Sequence, residues 1–311
     1  MKCLITGAVI LDIILTIDQL PPKGGDVYIQ EEMTTIGGCA LNVADMMHHF
    51  EEKFTLFAPL GKGSNANLID AQLKKLGYGT AVHSNKKDNG YSLCFVESDG
   101  ERTFMTLQGI EGEFEKEWFY KINPQDYTSI YISGYEVEGV GGESIIEFAK
   151  THPKLDIYYA PGPRFSHISR EKNDQLLSLS PVLHLNETEV KEYMQKENLV
   201  SAVKALGAIT QNKIIVTLGE KGTLLYKNNE LKMVETSPSH RVIDTIGAGD
   251  GHIGAYISMK QKGANDIEAL KVANRVSRAV VETKSSLLTD KEFKNIAFNW
   301  RNYGKNEKFF C

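Results

Sequence analysis

Cysteine is scarce in this chain. Its four residues, Cys3, Cys39, Cys94 and Cys311, are widely spaced and form no CxxC pair, which excludes both a zinc cage and a secreted disulfide framework. No uninterrupted apolar run approaches the roughly 18–20 residues of a membrane span. Basic residues are not in excess: 35 Lys and Arg stand against 40 Asp and Glu, a formal charge of −5. That balance argues against a protein whose main task is gripping nucleic acid. No GxxxxGK[ST] occurs, which excludes a Walker-type ATPase, and the one GxG within Gly247–Gly249 is not the GxGxxG of a dinucleotide site. What is present is 41% hydrophobic and 24% charged residues over 311 positions. Disordered and collagen-like chains are thereby excluded, and one large α/β domain or a domain with a smaller appendage fits the length. Met1 leads into KCLITGAVILDIIL, which has the look of a short signal core. Asp12 and the lack of a small-residue cleavage site make a first strand the better reading, with the cytosol as the expected compartment.

Short apolar runs alternate with stretches of helical period, the pattern of a parallel sheet covered by helices. The expected central strands are Lys2–Gly7, Phe54–Leu60, Ser129–Ser133, Asp156–Ala160, Val182–Leu185 and Lys213–Leu218. Helical patterns lie at Ala40–Phe50, Asn65–Leu76, Glu143–Thr151, Gln175–Leu177 with its flanks, Glu187–Gln195 and Val200–Ile209. A hairpin is expected at Thr223–Lys227 and Leu231–Glu235. Helices follow at Asp250–Gln261, Ala264 to about Glu282, and Lys291–Arg301. Two segments break the alternation. Ile13–Ile17 and Val27–Thr35 flank a Pro-Pro-Lys-Gly-Gly turn, and Tyr91–Glu97 and Arg102–Gln108 flank Ser98-Asp99-Gly100, a hairpin signal. Four strands from two places predict one small sheet beside the main body, a lid drawn from residues 12–36 and 90–109 of a single 1–311 domain.

The stretch Asp244-Thr245-Ile246-Gly247-Ala248-Gly249-Asp250 precedes an apolar helix. Small residues let the backbone turn tightly, and the helix start offers unpaired N–H groups at a positive dipole end. Such a place suits phosphate or developing negative charge. A carboxylate there repels a bound anion, so Asp250 reads as a base beside the anion site; the alternative is an aspartate N-cap. Three further stretches bear on the choice. Gly37-Gly38-Cys39-Ala40-Leu41-Asn42 opens a helix and puts an amide one turn in. Asn186-Glu187-Thr188-Glu189 lies at a strand's carboxyl end, where open α/β sheets bind ligands, although an Asn-x-x-Glu is also an ordinary helix cap. Thr217-Leu218-Gly219-Glu220-Lys221-Gly222 ends another strand with two glycines, as where backbone passes close to a nucleotide.

In order and spacing, these four stretches resemble the ribokinase-like (PfkB) carbohydrate kinase family over nearly the whole chain. GGCALNVA resembles its first signature, DTIGAGDGHIGA its second, and NETE and TLGEKG its intermediate motifs. The resemblance implies a three-layer αβα fold with a mostly parallel central sheet and a small β lid. It also implies transfer of the ATP γ-phosphoryl group to a hydroxyl, expected to be primary, of a sugar or sugar derivative. It makes Asp250 the base and Gly247, Ala248 and Gly249 the anion hole. Asp12, Gly38 and Asn42 are then expected to hold the acceptor, and Thr217, Gly219, Gly222 and Asn274 the nucleotide. Asn186 and Glu189 belong to the Mg²⁺ and phosphate environment, Glu189 through water. Asp244 and Ile246 fall where the family holds a monovalent cation such as K⁺. A homodimer joined through lids is expected, with no nucleic-acid or membrane partner.

The chain also departs from the pattern. Ile10 stands where ribokinases carry a polar residue two positions before the aspartate, which counts against ribose itself. Gly251 and His252 follow the base where a small residue and an aromatic are usual; His252 reads as a packed helix histidine. Asp12 also reads as a solvated strand end. Arg164 suits either an acidic group on the substrate or the surface of a rigid loop. Arg102 on the lid hairpin, and His48 and His49 at a helix end, read as solvated. Two alternatives stand beside the sugar kinase: a nucleoside kinase of pseudouridine or adenosine type, and a non-catalytic sugar or nucleotide sensor.

Overall fold

The computed structural model describes residues 2–239 and 241–296. Among the described residues, fourteen strands form three sheets. In chain order they are β1 (Lys2–Thr6), β2 (Ile10–Thr16), β3 (Glu31–Gly37), β4 (Phe54–Phe57), β5 (Pro59–Leu60), β6 (Val82–His83), β7 (Tyr91–Val96) and β8 (Arg102–Leu107). They continue as β9 (Tyr127–Ser133), β10 (Asp156–Ala160), β11 (Val182–Asn186), β12 (Ile214–Thr217), β13 (Thr223–Lys227) and β14 (Glu230–Val234). The main sheet runs β14-β13-β12-β11-β10-β9-β1-β4. Its pairs from β4 through β12 are parallel, and the β13–β14 hairpin closes one edge antiparallel.

The strands are apolar on both faces because both are covered, as a parallel sheet requires. Along β1, Cys3 and Ile5 enter one core with the helices Cys39–His49, Ala248–Gln261 and Asp266–Val281. Leu4 points to the other face, among Ile145, Leu176 and Leu206 of helices on the opposite side. The period of two along a strand thus sorts one short run into two cores.

The second sheet has four strands in the order β3-β2-β7-β8. Its two hairpins, from residues 10–37 and 91–107, are joined through a parallel β2–β7 pair. At its base Asn89 donates its amide to the carbonyls of Val9 and Pro59 and accepts from the Gly61 N–H at 2.8 Å. The buried Glu111 carboxylate accepts from the amides of Gly90 and Gly109. Backbone groups that a bending chain would leave unpaired are satisfied there by side chains.

Several boundaries differ from the sequence reading. The Phe54–Leu60 strand is broken before Pro59, and β5 turns away to pair with β6; proline has no N–H to extend the ladder. Val27–Gln30 lies outside any strand, and β3 instead runs on to Gly37, which pairs with Ile10. The helix of the second signature begins two residues early, at Ala248, which places Asp250 in its first turn. The last described helix is Asp290–Asn295, and the rest of the expected Lys291–Arg301 segment lies outside the described residues beyond Ile296. A short helix, Gly134–Glu138, follows β9 where no element was expected. Among the described residues no helix is long and apolar enough to cross a membrane.

Candidate active site

The main sheet's parallel strands end on one edge, and the loops there bring the signature residues together. Gly38 has φ of 111°, and a Cβ on it would lie 2.5 Å from the Ala8 carbonyl oxygen. Only glycine lets the chain leave β3 and enter the helix Cys39–His49 so close to the segment after β1. That helix aims Asn42 at the second signature, where the Asn42 amide donates to Asp250 Oδ2 at 2.8 Å.

Asp250 does not cap its helix. Gly247 is the N-cap residue, and no side chain satisfies the first-turn amides. Among the described residues, those of Gly249 and Asp250 find no hydrogen-bond partner. The carboxylate of this half-buried residue instead faces side chains of the helix Cys39–His49, and desolvation pushes it up to about 6 against the pull of Asn42 and the Cys39 thiol. The N-cap alternative therefore fails on geometry. A half-buried carboxylate held by one amide, next to free backbone donors at a helix start, can accept a proton on one side and stabilise negative charge on the other.

The site also holds a residue that the sequence reading missed. Glu136, in the short helix after β9, is 2% exposed, and its Oε2 has no hydrogen-bond partner. A Cβ on Gly7 would lie 3.4 Å from that oxygen. Burial raises the carboxyl to about 7, even with Ser133 opposing. Buried oxygens of Tyr131, Ser133 and Asn42 also lack partners. Buried polar atoms are nearly always paired, so this group calls for a partner beyond the protein's own described groups. The loop follows a strand's carboxyl end, where open α/β sheets bind ligands, which is the one signal in the sequence that could have found it.

Asp12 projects from β2 on the face shared with Ser92 and Thr106, whose hydroxyls bond at 3.2 Å. Its carboxylate occupies the space that a side chain on Gly37 would take, and burial raises it to about 6. It is accordingly not a solvated strand end.

Asn186 and Glu189 form a capping box at the start of the helix Glu187–Met194. Glu189 Oε2 accepts from the Asn186 N–H at 2.9 Å, and Asn186 Oδ1 accepts from the Glu189 N–H at 2.9 Å. Burial raises the Glu189 carboxyl, and the charge of Asp250 adds to that push. Each carboxylate oxygen keeps a second lone pair, so the pair suits a hydrated cation better than direct ligation. Among the described residues no cluster of three His, Cys, Asp or Glu is placed to hold a metal ion directly.

Thr217 ends β12, and Gly219 and Gly222 form the turn into β13, where the Leu218 N–H reaches the Gly222 carbonyl at 2.8 Å. Gly222 lies against Val234 and Thr236. From there a groove of about 810 Å³ runs between Glu235–Ser237 and the outer face of the helix carrying Lys271, Arg275 and Arg278. Asn274 faces inward instead, donating to the Val234 carbonyl at 2.9 Å and accepting from Thr223. It belongs to a buried relay with His252 and His184. If His184 Nε2 donates to His252 Nδ1, then His252 Nε2–H faces Asn274 Oδ1, and every ring nitrogen in the contact has a role. Burial holds the His252 imidazole down at about 4, so it is neutral at pH 7 and packed.

Two surface assignments need correction, and a third residue keeps its surface place on a rigid loop. Arg102 is not solvated: its Nη1 lies 2.8 Å from both oxygens of Asp244. His49 is also enclosed, with its ring between Asp45 and the Leu288 carbonyl. Arg164 is engaged by both carboxylate oxygens of Glu138, so it is not open to a substrate anion.

Comparison with known proteins agrees with this arrangement. An uncharacterised sugar kinase of Escherichia coli K12, YegV, is 29% identical over 282 residues, covering 89% of this chain and 88% of its own. The structure of Arabidopsis thaliana ribokinase complexed with ribose and ATP superposes with a TM-score of 0.79 at 21% identity, covering 96% of this chain and 99% of that one. The Burkholderia thailandensis nucleoside kinase in complex with inosine gives 0.77 at 16%, covering 94% and 96%. The pattern of the pfkB family of carbohydrate kinases matches residues 1–291, from the first strand to the last described helix, and the chain belongs to that family.

Proposed function

We propose that this protein transfers the γ-phosphoryl group of ATP to a hydroxyl, primary by our reading, of an uncharged sugar or sugar derivative in the cytosol. The observation that carries this is the position of Asp250: half-buried, tied to Asn42 and beside free first-turn amides, with no capping role. In this reading the acceptor lies between Asp12, Gly38, Asn42 and Glu136. Asn42 holds one oxygen of Asp250, and the other takes the hydroxyl proton as the acceptor oxygen attacks phosphorus in line and ADP leaves. Charge growing on the transferred group meets the amides of Gly247–Asp250. Phosphoryl transfer needs such positioning and charge stabilisation more than a strong base. The nucleotide lies along Thr217, Gly219 and Gly222, with its base toward the groove beside Glu235–Ser237; Asn274 shapes that wall by fixing Val234. Mg²⁺ arriving with ATP would be held near Asn186 and Glu189 through water, where it offsets phosphate charge.

The charge of the pocket supports an uncharged acceptor. Buried Glu136 and half-buried Asp12 and Asp250 are carboxyls raised toward neutrality by desolvation. The nearby guanidinium groups of Arg102 and Arg164 are engaged by Asp244 and Glu138. A sugar acid or sugar phosphate would enter a pocket of its own sign. An ATP-consumption screen over sugars, sugar acids, sugar phosphates and nucleosides tests this directly. Turnover is expected with a neutral acceptor, and turnover confined to anionic acceptors would overturn the pocket argument. A nucleoside acceptor is the second reading, favoured by the likeness to the inosine-bound nucleoside kinase.

Removing Asp12 should separate acceptor binding from nucleotide binding. A buried site built for hydroxyls loses about 1–3 kcal/mol when one partner goes, a factor of roughly 5–150 in affinity. Asp12→Ala is expected to raise the acceptor KM by that order and leave the ATP KM nearly unchanged. Equal weakening of both would make Asp12 a structural residue.

We further read the small sheet as a lid that closes over the acceptor and excludes water. Met33 and Met105 on it, and Ile29 in the segment just before β3, are about half exposed, and apolar surface on a sheet invites a second copy. A homodimer through these sheets is expected by light scattering at micromolar concentration, and a monomer there would refute it.

A further inference from the structure

We infer that Arg102 is the resident cation of the second-signature loop, so that this chain needs no monovalent metal ion at Asp244 and Ile246. The inference rests on the kinase reading only for its catalytic consequence. Arg102 stands on β8 of the small sheet, 142 positions from Asp244 in sequence, and its Nη1 lies 2.8 Å from each carboxylate oxygen. Asp244 Oδ1 also accepts from the Ile246 N–H at 2.9 Å. The backbone of Ile243 and Asp244 is fixed in turn by the Val281 carbonyl. Asp244 is only 8% exposed, so its charge needs a partner, and a removed partner would leave it buried and uncompensated.

A metal ion held by Asp244 would have to draw on the oxygens that the guanidinium and the Ile246 amide already use, against a positive charge at hydrogen-bonding distance. A guanidinium is charged at every accessible pH and gives directed hydrogen bonds. It therefore supplies permanently what an exchangeable ion supplies only when bound. The Asp244–Ile246 bond sets the entry to the turn at Gly247, so Arg102 acts on the anion-binding amides through Asp244 as a positioning residue. Because it comes from the small sheet, it also ties that sheet's position to the shape of the turn.

The test needs no acceptor. Thermal unfolding of the full chain is measured in KCl and in tetramethylammonium chloride at equal ionic strength, for wild type, Arg102→Gln and Arg102→Lys. Amide hydrogen exchange is followed across residues 243–249. Wild type is expected to show the same midpoint in both salts. Arg102→Gln is expected to exchange about tenfold faster in that segment and to acquire a midpoint that rises with K⁺. Arg102→Lys, which keeps the charge, is expected to stay close to wild type and guards against a variant that simply fails to fold. A wild-type midpoint raised by K⁺, or unchanged exchange in Arg102→Gln, overturns the inference. Once an acceptor is found, Arg102→Gln should lower kcat more than it alters either KM. Absence of turnover with every acceptor would count against the kinase reading and leave the unfolding and exchange results standing.

Discussion

Asp250→Asn is expected to fold, to bind ATP at least as well as the wild type, and to lose about 10²–10⁴-fold in kcat. Asparagine keeps the size of the side chain and still offers an oxygen to the Asn42 amide, which now bonds Asp250 Oδ2. It removes the charge and the proton-accepting oxygen and leaves the amides of the turn in place. ATP affinity should hold or rise slightly, because a negative charge beside the phosphates has gone. Isothermal titration with ATP and steady-state rates separate the two effects. The wild-type pH profile carries the same signature: a base must be ionised, so kcat/KM should climb with pH through about 6 and then level off. The same shift has a stability consequence of opposite sense. A folded-state value of about 6 against the ordinary 3.8 means that the folded protein binds the proton more tightly. Stability is therefore lost as pH rises between those values and stays lower above them. Asp250→Asn should remove that loss, gaining at most about 3 kcal/mol above pH 6 and nothing near pH 4. Near-wild-type turnover in this variant would end the proposed mechanism.

Gly247→Ala is expected to lower kcat by about 10²–10³, the usual size of losing an anion-stabilising donor, with a smaller change in acceptor KM. Gly247 sits at φ of 75°, and a Cβ there would stand 2.5 Å from the Ser286 Cβ and 3.4 Å from the Asn42 amide nitrogen. The turn must shift, and the donors of the following residues shift with it. Left-handed backbone costs a non-glycine residue about 1–2 kcal/mol. Adding Ser286→Gly removes the closest contact and leaves that strain with a tight 3.1 Å approach to the Cα of residue 286, so the double variant should recover part of the lost rate. Equal rates in the single variant and the wild type would mean that the turn does not position the donors.

The parallel sheet and its helices were legible because apolar runs of strand length alternate with helical periods from Lys2 to Ile209. The small sheet was legible for a different reason: β-favouring runs on either side of Pro-Gly and Asp-Gly turns. What escaped were features decided by long-range contact. Glu136 lies in a five-residue helix, too short for a period to register, and Gly134 packs so closely on Pro161 that no side chain would fit. Its glycine is a packing requirement that reads in sequence as a loop. Arg102 looked solvated because its partner, Asp244, is distant in the chain and itself looked available for an ion. Asn274 and His252 were each read singly, while the fold joins them with Thr223 and His184 in one buried relay. Charge and hydrogen-bond partners across sheets have no local pattern, so the positions were readable and the pairings were not.

The parallel β2–β7 pair bears on how this fold can be divided. The strands on either side of it leave the main chain at two separate places, residues 10–37 and 91–107, and neither hairpin forms the sheet alone. Deleting the second hairpin with its two flanking glycines would strip β2 of one whole row of hydrogen bonds and leave the Glu111 carboxylate without the Gly90 and Gly109 amides it holds. The sheet is therefore not a cassette that can be cut out or traded at one pair of junctions. A chimera that borrows the acceptor specificity of a relative has to carry both segments together, along with the polar joint beneath them, and a single crossover anywhere between positions 38 and 90 separates the two halves of one structural unit.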